Sequence, residues 1–134
     1  VVPAAARRKL ALGAAYGTNL AAVADTGAPT LGIGFAATDR IELGVDAIVV
    51  AYAVMPSVRV RLAGEAMSVH AALAVPIAFT DGAMSETFVA GAFGLGLRYR
   101  ATPALAFRLE SFASFAGKTH GTTFPAFLGG ELWF

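Results

Sequence analysis

Residues 88–100 read FVAGAFGLGLRYR, and their alternation decides the fold. Val89, Gly91, Phe93, Leu95, Leu97 and Tyr99 take one parity, while Ala90, Ala92, Gly94, Gly96, Arg98 and Arg100 take the other. A period of two is strand periodicity, with successive side chains on opposite faces. One face is bulky and apolar, and the other is small with charges among it. In a water-soluble barrel the apolar parity fills the inside and the charged parity meets solvent. Glycine and alanine make a poor solvent-facing surface, but they suit the cramped interior of an eight-stranded barrel. The bulky parity is therefore read as facing lipid.

The same scheme recurs on both sides of this stretch. KLALGAAYG (9–17) sets Leu10, Leu12, Ala14 and Tyr16 against Ala11, Gly13, Ala15 and Gly17, and LGIGFAA (31–37) sets Leu31, Ile33 and Phe35 against Gly32, Gly34 and Ala36. IELGVDAIV (41–49), SVRVRLA (57–63) and SVHAALAVPIA (68–78) follow, with Glu42, Asp46, Arg59, Arg61 and His70 all on the small parity. In LAFRLESFASF (105–115) the phase blurs at Ser111 and Phe112, which predicts a bulge there. FPAFLGGELWF (124–134) closes the set with Phe124, Ala126, Leu128, Gly130, Leu132 and Phe134 on one parity. Eight strands result. Short connectors at 38–40, 64–66 and 101–104 alternate with longer ones at about 19–29, 50–56, 80–86 and 116–123, the pattern of outer-membrane barrels. Aromatic residues fall at both strand ends, as interfacial girdles do. Tyr16, Tyr52, Phe79, Phe115 and Phe124 lie toward the long loops, and Phe35, Tyr99, Phe107 and Phe134 toward the short turns.

Composition agrees with a membrane address. The 134 residues, enough for one domain, are 57% hydrophobic and 14% charged, against roughly 45–50% and 25% in ordinary soluble domains. The longest stretches free of Asp, Glu, Lys and Arg are Leu10–Ala24 and Ala66–Thr80, fifteen residues each and broken by Gly, Asn, His or Pro. A spanning helix needs about 20 apolar residues in a row, so helical membrane proteins drop out. Disorder is excluded by the apolar content. With no cysteine there are no disulfides, zinc knuckles or thiol chemistry. A formal charge of +1 and one short basic run, Arg7-Arg8-Lys9, do not make a nucleic-acid surface. The expected organisation is a periplasmic N-terminal tail over residues 1–8 and a transmembrane barrel over 9–134.

The last eight residues, FLGGELWF, carry Gly129, Leu132 and a terminal Phe134. This resembles the C-terminal signal read by the outer-membrane barrel assembly machinery. With the alternation and the strand count, the whole chain resembles the small eight-stranded bacterial outer-membrane barrels of the OmpA transmembrane domain and OmpX type. The resemblance is one of pattern. It implies an all-β, eight-stranded antiparallel up-and-down transmembrane β-barrel in the bacterial outer membrane, monomeric, with lipid and the assembly machinery as partners. A larger envelope complex is a further possible partner.

The interior carries the chemistry. Glu42, Asp46, Glu110 and Glu131 face Arg59, Arg61, Arg98, Arg100 and Arg108, and buried charges are tolerated only in pairs. Counting across hairpins sets Asp46 level with Arg59 and Arg61, Glu131 opposite Arg108, and Arg98 opposite Arg108. A lumenal ion network is the expected result. His70 with Ser68 invites comparison with lipid-modifying barrels that pair His, Ser and an acid, but no acid stands at an obvious position, and the expected reading is an interior histidine satisfied by the carboxylates of the arginine-rich network. His120 beside Lys118 reads as a solvated loop residue, and two histidines so far apart make no zinc site. The Gly-x-Gly pairs at 32/34 and 94/96 precede no helix and are inward small residues rather than phosphate loops. Within this lining Gly96→Ala is expected to be mild. No catalytic, cofactor or metal residues are assigned. Three roles stay open: a structural or interaction barrel with a plugged lumen, an OmpW-like channel or carrier for apolar solutes, and a lipid-modifying enzyme.

Overall fold

The computed structural model describes residues 9–19, 28–48, 53–79, 87–115 and 122–134. Eight strands run through them. They are β1 (Leu10–Asn19), β2 (Ala28–Ala36), β3 (Ile41–Ile48), β4 (Ala53–Gly64), β5 (Met67–Ala74, resuming at Ile77–Phe79), β6 (Thr87–Val89, resuming at Gly91–Arg100), β7 (Leu105–Phe115) and β8 (Thr122–Thr123, resuming at Pro125–Trp133). Each pairs antiparallel with its sequence neighbour, and β1 pairs with β8 from Ala11↔Trp133 to Asn19↔Pro125, closing an up-and-down barrel. Closure removes every sheet edge, which is what lets a β-structure sit in lipid.

The burial pattern follows parity. Along Gly91–Arg100 exposed and buried residues alternate through Gly96. Leu73 and Leu95 are 62% and 54% exposed, while Ala72, Ala92 and Ala106 are buried. Leu, Ile, Val and Phe side chains on all eight strands stand outward, including both aromatic sets except Tyr52, which lies outside the described residues. A continuous apolar belt of this extent has no place on a soluble monomer, whose patches rarely exceed a few hundred Å². The three short connections, together with Lys9 and Phe134, mark one end of the barrel: Lys9 and Leu10 donate to the Phe134 carbonyl at 2.9 and 3.2 Å.

Two local readings are corrected. No bulge occurs at Ser111 and Phe112, because β6 and β7 keep one register from Gly91↔Phe115 to Arg100↔Ala106. Ser111 faces out and Phe112 faces in, where Gly94 directly opposite supplies the room that an aromatic needs on the small-residue face. The register shift is instead in β4, between Arg61 and Ala63, just before Gly64 turns the chain with a φ of 90°. Pro56 is a strand residue and not the end of a loop. It pairs with Val45, and its carbonyl accepts the Val75 N–H at 2.9 Å. The N-terminal tail (1–8), Lys118 and His120 lie outside the described residues.

Candidate functional site

Inward residues of all eight strands build the lumen, and several of its larger side chains are placed over glycines. His70 sits opposite Gly96, Phe112 opposite Gly94, Asp46 opposite Gly32 and Phe127 opposite Gly17. At Gly96 a Cβ would come within 2.5–2.8 Å of the His70 ring and the Glu110 Cγ, so the missing side chain is the seat of the histidine. Gly129 differs in kind. A Cβ there would strike the backbone of Ala14 and Ala15 on β1, so this residue has a structural reason to be glycine whatever reads it during assembly.

The charged residues meet across the barrel rather than only along neighbouring strands. Glu110 on β7 accepts from Arg59 on β4 through Nε (2.6 Å) and Nη2 (2.8 Å), and forms an ion pair with the Arg108 Nε at 3.0 Å. His70 Nε2 lies 2.7 Å from the Glu110 Oε2. Arg59 also donates to the Ser57 hydroxyl at 3.0 Å and reaches Asp46 at 3.4 Å. Arg98 bridges Glu131 (2.7 Å) and Glu42 (2.7 Å), and Arg108 binds Glu131 at 3.0 Å and approaches Asp46 at 3.8 Å. Four carboxylates, three arginines and one histidine thus form a single connected network. Glu110, His70 and Arg59 are its most deeply buried members, 1%, 2% and 2% exposed.

Hairpin counting gives these partners only in part. Asp46 lies opposite Met55, Arg59 opposite Glu42, Arg108 opposite Gly129, and Glu131 opposite Ala106. Only the Arg98↔Arg108 pairing is as counted. The Asp46–Arg59 and Glu131–Arg108 contacts still form, because a guanidinium arm spans the diagonal. Arg61 and Arg100 make no ion pair with a carboxylate among the described residues. The acid missing beside His70 is Glu110, two strands away on β7, with only Gly96 of β6 between them in register. No hydrogen bond joins Ser68 to His70 among the described residues, so a Ser-His-acid relay is not assembled there.

An apolar layer flanks the network on each side. Toward the short turns Trp133 packs with Ala11 and Ala106, and its ring lies under Arg98 and Arg100 at 5.4 and 5.0 Å. Toward the long loops Met55, Phe112 and Phe127 pack with Ala72, Ala74 and Ala92, the two phenylalanines edge to face at 5.9 Å. The crevice between this second layer and the charges, lined by Thr30, Asp46, Met55, Arg108, Glu110 and Phe127 among others, has no room for a water-sized sphere. No group of three or more His, Cys, Asp or Glu residues that could hold a metal ion occurs among the described residues.

No known protein family matches the chain, and no curated protein matches it in sequence. Solved structures do match in shape. The N-terminal β-barrel domain of Pseudomonas aeruginosa OprF superposes with a TM-score of 0.73 at 14% identity, over 95% of this chain and 98% of that one. Neisserial surface protein A gives 0.58 at 16% identity, over 94% and 95% of the two chains. The de novo designed TMB2.3 gives 0.57 at 14%, over 95% and 94%. With closure, parity and strand count already on hand, the chain has the fold of the small eight-stranded outer-membrane β-barrels.

Proposed function

We propose that this chain is an integral outer-membrane barrel with a structural or interaction role, whose lumen is closed by the Arg/carboxylate network. The observation that carries the reading is the cross-lumen bonding of Glu110 and Glu131 to Arg59, Arg98 and Arg108, with apolar layers on both sides. Eight strands enclose a space that side chains can fill, whereas aqueous channels become the rule at about sixteen. His70 in this reading is a member of the network and not a catalytic base. Its Nε2 is committed to Glu110, and the ring is sealed over Gly96. Planar-bilayer recordings of the purified barrel test the proposal. Conduction is expected to be absent or small and intermittent. Sustained porin-sized conductance would replace the closed lumen with the channel reading.

The same proposal gives the C-terminal segment a role in delivery. Replacing Phe134 with Asp is expected to impair insertion in cells more than refolding in detergent, since a signal for the assembly machinery is lost while the strand ladder is retained. The backbone of Phe134 bonds to Lys9 and Leu10 irrespective of its side chain. Membrane-fraction yield in cells, set beside the refolded fraction in micelles, checks this. Equal defects in the two assays would make Phe134 a structural anchor alone.

A further inference from the structure

The network leaves two inward arginines over. Arg59, Arg98 and Arg108 engage all four lumenal carboxylates, at 2.6–3.8 Å. Arg61 and Arg100 pair with none of them, and both lie on the short-turn side. Arg61 is two residues beyond Arg59 toward the turn at 65–66, and Arg100 two beyond Arg98 toward the turn at 101–104. Both are half-buried, so their heads border the mouth rather than the sealed middle. Arg100 donates through Nη1 to the Pro103 carbonyl at 3.3 Å and lies over the Trp133 ring, which Arg98 also covers. The charges of Arg98 and Arg61 repel that of Arg100, and Glu131 and Glu42 attract it only from a distance, forming no ion pair with it. Among the described side chains of the rim, two basic residues, Lys9 and Arg40, are matched in number by two acidic ones, Asp39 and Glu65.

Like charges held together out of bulk water are unfavourable without a counterion. A guanidinium laid on an indole has its plane fixed by the stacking, while its N–H edge stays available. That edge is a fork matched to two oxygens of a carboxylate or phosphate. We propose that Arg61 and Arg100 form an oxyanion-binding site at the short-turn mouth of the lumen, taking the carboxylate or phosphate group of a ligand that approaches from that side.

Trp133 is the only tryptophan and already touches the site, so its emission reports occupancy. The folded barrel in zwitterionic micelles would be titrated with inorganic phosphate and, separately, with acetate, at constant ionic strength set with sodium chloride. A saturable emission change is expected. Arg61→Gln, which leaves the Trp133 contact alone, should weaken it about tenfold, and Arg100→Gln at least as much. Arg100→Lys should keep a weakened response, since charge remains while the fork is lost. Heat-modifiable gel mobility and circular dichroism confirm that each variant is folded. Saturation by phosphate alone assigns the site to phosphate-bearing ligands, saturation by acetate alone assigns it to carboxylates, and equal saturation by both makes it a site for either oxyanion. A change that merely follows ionic strength, or saturates equally in the folded Arg61→Gln protein, would overturn the proposal.

Discussion

Replacing Glu110 with glutamine is expected to destabilise the folded barrel by about 3–5 kcal/mol, the cost of leaving buried charges without their partner. Glu110 is the hub of the lumen. It holds Arg59 through two bonds of 2.6 and 2.8 Å, Arg108 through one contact of 3.0 Å, and His70 at 2.7 Å. Glutamine keeps the volume but turns one acceptor oxygen into an NH₂ group that faces N–H donors. Arg59, itself 2% exposed, then keeps only Asp46, at 3.4 Å, as an ion-pair partner. Urea unfolding from vesicles, followed through Trp133, measures the loss. The Glu110→Gln, Arg59→Gln double variant should recover part of it, because one uncompensated charge is removed, and strict additivity would mean that the two do not interact. A single variant within about 0.5 kcal/mol of the parent would show that water reaches these charges, which would also undermine the closed lumen.

The barrel was legible because a membrane strand advertises both of its faces. Bulky residues at 93, 95 and 97 against small ones at 92, 94 and 96 fix the period, and the location of Arg98 and Arg100 on the small side fixes which face is inward. The network was legible in part: Glu42, Asp46, Arg59, Arg98, Arg108, Glu110 and Glu131 join it, whereas Arg61 and Arg100 stay outside it, and the pairing was less legible still. A lumen brings together strands that are not neighbours, so Glu110 on β7 meets Arg59 on β4 with nothing in the local sequence to announce it. Long guanidinium arms then forgive register errors: Arg108 finds Glu131 although its direct neighbour is Gly129. Phe112 was misread for a related reason. Parity alone marks an inward aromatic as an anomaly, and only the partner strand reveals that Gly94 stands opposite to receive it.

Leu95 and Gly96, adjacent in β6, should respond in opposite ways to their two faces. Leu95 stands 54% exposed at mid-strand on the apolar belt, with Ala71 and Ser111 as its neighbours across the ladder. Leu95→Arg places a guanidinium in hydrocarbon, at an expected cost of about 2–4 kcal/mol in bilayer folding. The penalty should shrink in detergent micelles, whose thinner apolar shell lets a long side chain reach water. Gly96→Ala adds one methyl and no charge, which parity alone reads as harmless. The His70 ring and the Glu110 Cγ occupy the space that methyl would take, so a cost of about 1–3 kcal/mol is expected from overpacking, in micelles and vesicles alike. The comparison of the two media therefore separates the faces. If Leu95→Arg folded into vesicles as well as the parent, the outward assignment of the bulky parity would be wrong. If Gly96→Ala were neutral in both, the seat of His70 over that glycine would not be as tight as the packing requires.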